Sequence, residues 1–175
     1  MRAVGRWVWA VALLTAPALS PAQDRRELAY DAAAAHTRIV QNTRISVGDA
    51  SDHILRIYDL RRKFTLRPPV FEGVRATQMW EQGVADTIDQ SGTETAYVTF
   101  VLEDGNRVLG RYAGIVHSFR WPDGSRHYDH VGTITLTGGS GAFARLRGTV
   151  RVRAAVDPGA DSNQIESKGA YWMEQ

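Results

Sequence analysis

The chain has 175 residues, 21 Lys and Arg against 19 Asp and Glu, and no cysteine. That length suits one domain with a core of its own, and a chain without thiols has neither disulfides nor a cysteine nucleophile. Arg2 and Arg6 are the only charges in residues 1–22; without them 19 charges of each sign remain, and a neutral chain lacks the cationic footprint that nucleic acid requires.

Arg2 and Arg6 precede the apolar run Trp7–Leu14, and Ser20-Pro21-Ala22 places small residues where a signal peptidase cuts before Gln23. Residues 1–22 therefore predict a signal peptide, and the chain an exported protein, periplasmic or secreted. The apolar run is well short of a bilayer span, and no membrane span is expected in the mature chain. Arg25-Arg26 follow the run, so they cannot serve as a twin-arginine signal.

Residues 23–50 form an N-terminal segment, helical or flexible. Within it Asp24–Asn42 predicts a helix: Asp24 can cap it, Glu27 follows three residues later, and Ala32–Ala35 has high helix propensity. Leu28, Ala32, Ala35 and Ile39 make a stripe at helical spacing.

Residues 51–175 read as strands broken by turn residues. His53–Leu60 is a short strand, and Pro68-Pro69 interrupts sheet pairing. Val74–Ala85 is a long strand with a bulge expected at Gly83. Thr95–Leu102 alternates, with Ala96, Val98, Phe100 and Leu102 on one face. Asp104-Gly105 makes a tight turn into Val108–Phe119, and Asp123-Gly124 a second turn into His130–Thr137. Thr149–Val156 places Val150, Val152, Ala154 and Val156 on one face. A polar loop, Pro158–Asn163, leads to a last strand, Ile165–Met173. About eight strands joined by short hairpins predict an all-β protein: a small antiparallel up-and-down β-barrel behind a short N-terminal helical or disordered segment.

The stretch TLTGGSGAFARLRG, Thr135–Gly148, contains the spacing of a dinucleotide loop at Gly139, Gly141 and Ala144. That loop must open a helix whose N-terminus takes the pyrophosphate. Here a period-two strand follows at once, so the stretch reads as a glycine turn pinned by Phe143, and no cofactor is expected.

Thr137–Phe143, then Gly148-Thr149-Val150 and a polar/apolar strand, resembles the glycine turn of the allene oxide cyclase and dirigent superfamily. Lys168–Trp172 is similar to the last strand of those barrels. Trp80 to Thr93, with Leu102 to Gly105, looks like small exported bacterial proteins near the same superfamily. The resemblance spans residues 72–173. It implies an antiparallel barrel with a central cavity, often in a homo-oligomer. It carries over no active site, because the polar residues that the cyclases use on early strands have no match here.

Barrel interiors are lined by alternate residues. Trp80 shares a face with Val74 and Ala76, and Phe100 belongs to an inward set. Strand 108–119 offers two faces: Val108, Tyr112 and Val116, or Leu109, Arg111, Ala113, Ile115 and His117. An inward Arg111 would need a partner or an anionic ligand; outward, Arg111 and His117 would be a solvated surface. Trp80, Phe100, Arg111, Tyr112 and His117 are the candidate ligand-binding residues. Glu72, Glu81, Glu94 and Asp86 are candidate acids and bases that the sequence cannot pair. His117, His127, Asp129 and His130 lack any standard ligand spacing, so no metal is expected. Trp121–His130 reads as an exposed hairpin at one barrel mouth.

Three functions fit. The first is an exported barrel that binds a small, mostly apolar molecule in its interior. The second is a cyclase or isomerase of the allene oxide cyclase-like type, acting by confinement of its substrate. The third is a structural or partner-binding barrel with a filled interior. A roomy cavity containing a carboxylate would point to the enzyme, a wholly apolar one to the carrier.

Overall fold

The computed structural model describes residues 24–33, 36–157 and 162–175. The expected signal peptide and its cleavage site lie outside the described residues, as does most of the expected loop at 158–163.

The described chain is all-β: β1 (Arg26–Ala33), β2 (Thr37–Ser46), β3 (His53–Lys63), β4 (Val70–Phe71), β5 (Val74–Ile88), β6 (Ser91–Leu102), β7 (Arg107–Arg120), β8 (Arg126–Gly139), β9 (Leu146–Asp157) and β10 (Ser162–Met173). They form one ten-stranded sheet in the order β1-β10-β9-β8-β7-β6-β5-β3-β2, with β4 paired beside β5. Every pairing is antiparallel. The eight-stranded barrel expected from sequence is therefore replaced by a larger sheet whose pairing does not close, with β1 and β2 as its edges.

The expected N-terminal helix is absent as well. β1 and β2 occupy the segment from Asp24 to Asn42, and no α-helix occurs among the described residues. Alanine propensity amounts to a few tenths of a kcal/mol per residue. Against it stands the full ladder of β1 on β10, from Arg26–Tyr171 to Ala33–Gln164. Leu28, Tyr30 and Ala32 are buried on one face at period two. Burying a large side chain such as Tyr30 contributes roughly 1.5–3 kcal/mol, which outweighs the local preference.

The glycine stretch is a turn. Gly138 (φ 141°) and Gly141 (φ 56°) take angles that side chains disfavour. A single 3-10 turn over Gly141–Phe143 joins β8 to β9, and Phe143 is buried. Gly105 and Gly124 likewise take positive φ in the two expected hairpin turns.

Two register features decide which side chains face inward. The irregularity on β5 falls between Ala76 and Gln78, not at Gly83 as expected. It moves Trp80 to the face opposite Ala76 and turns Met79, Glu81 and Ala85 inward. Gly83 is instead regularly paired with Tyr58 and Ala96, and glycine is required there because an ideal Cβ would come within 2.8 Å of the Tyr58 ring. On β7 the inward set is Val108, Tyr112 and Val116.

The inward residues of the strands share one core. Its packed end centres on Phe100, whose ring centroid lies 5.3 Å from Phe71, 5.7 Å from Tyr30 and 6.4 Å from Phe64. Val108, Leu136, Leu146 and Val150 complete it, all essentially without solvent contact. The opposite end of the same face is open and holds a cavity.

Candidate functional site

The cavity measures about 630 Å³ and is lined from β1, β2, β3 and every strand from β5 to β10. Its apolar lining includes Met79, Val98, Ile134, Val152 and Ile165. Polar groups stand among them, each placed by strand alternation. Tyr58 and Arg62 lie on the inward parity of β3, Glu81 on that of β5, Glu94 on that of β6, and His130 on that of β8.

These groups form a set of three and a pair. The Tyr58 hydroxyl donates to Glu81 Oε1 at 3.0 Å, and Arg62 Nη2 stands 3.9 Å from Glu81 Oε2. Arg62 Nη1 donates to Thr37 Oγ1 at 3.0 Å. Arg62 is only 7% exposed, and its Nε, fully buried, has no hydrogen-bond partner among the described residues. Glu94 is equally buried, at 7% exposure, and its Oε2 lies 2.9 Å from His130 Nδ1. Burial of ionisable groups is costly unless partners satisfy them, so a set this dense on a mostly apolar face is the candidate site.

Two tyrosines are seated by glycines. Tyr58 leans over Gly83. The Tyr112 ring lies over Gly114 and Gly132, a cross-strand pair of β7 and β8. An ideal Cβ at either glycine would come within 2.6 Å of Tyr112 Cζ. Burial, then the carboxylates of Glu81 and Glu94, push the Tyr58 phenol far above its ordinary range. Burial, then Glu94 and Glu81, raise Tyr112 in the same way. Both phenols keep their protons at physiological pH, and that of Tyr58 donates to Glu81.

The residues singled out by sequence fall in three places. Tyr112 lines the cavity. Phe100 faces inward but is sealed in the packed end. Trp80, Arg111 and His117 lie on the outer face. Trp80 sits between the guanidinium groups of Arg61 and Arg107, at 4.3 and 5.1 Å from its ring. Arg111 covers Tyr97 at 5.3 Å, and His117 stacks on Phe119 at 6.0 Å. Of the candidate acids, Glu81 and Glu94 enter the cavity, whereas Asp86 binds His53 Nε2 at 2.7 Å outside it.

Tyr58, Arg62 and His130 were not legible as site residues. Glu94 carried a signal: it continues the parity of Ala96, Val98, Phe100 and Leu102 one step beyond the apolar run. His130 was weighed only as a metal ligand, since only the register of β6, β7 and β8 brings it to Glu94. Among the described residues no three His, Asp or Glu side chains gather as a metal site.

No family model, curated protein or solved structure matches this chain.

Proposed function

We propose that the curved sheet works as a barrel whose interior binds a small amphipathic molecule. The path from β1 to β2 has eight antiparallel steps, so its two edge strands run in the same direction, and they follow one another in the chain. β1 on β10 and β2 on β3 would then bring the two edges to one seam. The Asp31 amide donates to Arg67 O at 3.3 Å, where β1 passes the segment after β3, and this supports such a seam. The glycine turn between β8 and β9 accords with the resemblance to the allene oxide cyclase and dirigent barrels, which stays part of this proposal. So does export, on the pattern of residues 1–22.

The observation that carries the binding reading is a 630 Å³ cavity whose mostly apolar lining includes the Arg62 guanidinium. A cavity of this size suits a drug-sized ligand, and a filled structural barrel would leave no such space. Guanidinium presents a fork that a carboxylate meets with two parallel hydrogen bonds. An acid head group on Arg62 would leave its apolar body against Met79, Val98, Ile134 and Val152.

Isothermal titration with a fatty acid, alcohol and amine of equal chain length tests this. The acid is expected to bind best. Arg62→Met should weaken it about ten- to a hundredfold, the equivalent of roughly 1.5–3 kcal/mol for a hydrogen bond to a charged group, while leaving the alcohol little changed. Equal affinity for all three, unaltered by the substitution, would remove Arg62 from the account.

A further inference from the structure

The cavity contains a base and a hydrogen-bond donor that ligand binding by Arg62 does not use. His130 Nδ1 lies 2.9 Å from Glu94 Oε2. A carboxylate can only accept, so Nδ1 donates to it, and in the neutral ring this leaves the lone pair on Nε2. The contact with Glu94 engages Nδ1 and leaves Nε2 to the other side of the ring, and the Tyr112 hydroxyl lies over Gly114. Both residues line the same cavity.

Register places them together. Inward positions of neighbouring strands form rows across the sheet. Glu94, Gly114, Gly132 and Val152 make one such row, and Gly92, Val116, His130 and Ala154 make the next. Tyr112 starts a row earlier, beside Ala96 and Ile134, but its ring lies forward over the two glycines. Its hydroxyl thus reaches the row of Glu94, one step from that of His130.

We propose that the open end of the interior catalyses proton transfer at carbon next to a carbonyl group, with His130 Nε2 as the base and the Tyr112 hydroxyl as donor to the carbonyl oxygen. The substrate class is an enolisable ketone with an apolar body, such as a β,γ-unsaturated ketone. His130 Nε2 takes the α-proton, and the C–H electron pair forms the enolate, its oxygen held by the Tyr112 O–H. The imidazolium then returns the proton to the γ-carbon, the double bond moves into conjugation, and the carbonyl re-forms. No oxidant, reductant or second reactant is consumed. A neutral donor and a neutral base suit this charge flow, because the oxyanion appears only as the reaction proceeds, where a fixed hydrogen bond is worth most. Glu94 is a positioning residue: it holds the tautomer and stabilises the imidazolium.

The inference rests on the interior-binding reading, and its test separates the two. The full chain is incubated in D2O with the β,γ-isomer of cyclohexenone and with a long-chain methyl ketone. Conjugation is followed by absorbance, α-deuteration by NMR, and ketone binding by titration on the same samples. The wild type is expected to accelerate both reactions over buffer. Tyr112→Phe, which keeps the ring over its glycines, should lower kcat about 10²- to 10³-fold, and His130→Gln about 10²- to 10⁴-fold. Glu94→Gln should move the acidic limb of kcat/KM, where the base becomes protonated, to lower pH, an effect that a purely structural role would not produce. Ketone bound without deuteration or conjugation overturns this inference and leaves the binding reading intact. Rates unchanged by Tyr112→Phe and His130→Gln also overturn it. Failure of the ketones and of the fatty-acid probe to bind at all overturns both.

Discussion

The two ends of the concave face are built from the same strands and hold opposite chemistry. Along β6 the inward residues run Glu94, Ala96, Val98, Phe100, Leu102, from the open end to the packed one. β8 repeats the change from His130 through Gly132 and Ile134 to Leu136. At the packed end aromatic and aliphatic side chains fill the space, with Phe100, Phe71 and Leu146 sealed from solvent. At the open end small residues withdraw (Ala85, Gly114, Gly132, Ala154), and charged and phenolic groups stand in the space they leave. Stability and chemistry are thus separated along the strands and not among them. One end can carry costly buried charges because the other supplies apolar burial.

Truncation gives the largest effect. Phe100→Ala should destabilise the chain by about 3–5 kcal/mol, through lost burial and a cavity among three other rings. Ile54→Ala, on the half-buried lining of the open end, should cost only about 1 kcal/mol, in proportion to its smaller buried area. Urea denaturation of the two variants measures the difference. Equal costs would erase the distinction between the ends.

A smaller effect concerns the rim. His53 lies between two carboxylates, with Nε2 2.7 Å from Asp86 Oδ1 and Nδ1 on Asp49 Oδ1. Asp86, then Asp49, raise its pKa above the ordinary value. The charged clasp therefore stabilises the fold fully below pH ~6.5, the unfolded value, and its contribution is lost as pH rises through the raised folded value. The melting-temperature gap between wild type and His53→Gln should be largest in mild acid and narrow in alkali. A gap independent of pH would show that the clasp contributes no charge. The packed end has no such group, and the difference between Phe100→Ala and wild type should stay flat over the same range.

How far the sequence could be read follows from the same physics. β6, β9 and the glycine turn were legible because alternation and turn chemistry are local. Ala96 to Leu102 and Val150 to Val156 face inward as their spacing indicates. The N-terminal segment was not legible, since its alanines favour a helix locally and only the ladder with β10, more than a hundred residues away, makes β1 a strand. The face of Trp80 was hidden by the irregularity between Ala76 and Gln78, since one extra residue reverses every later side chain on the strand. The site itself depends on cross-strand register: Glu94 and His130, or Tyr58 and Glu81, meet through pairings that no single strand records.

The central claim, that the open end takes a small molecule from its surroundings, is tested most directly by native mass spectrometry of the chain purified from the cells that make it. The wild type is measured beside Ala154→Trp, which fills the cavity at a half-exposed lining position. The account predicts a retained small-molecule adduct on the wild type and none on the variant. A wild-type chain that arrives at its bare mass, or an adduct that survives Ala154→Trp unchanged, would contradict it.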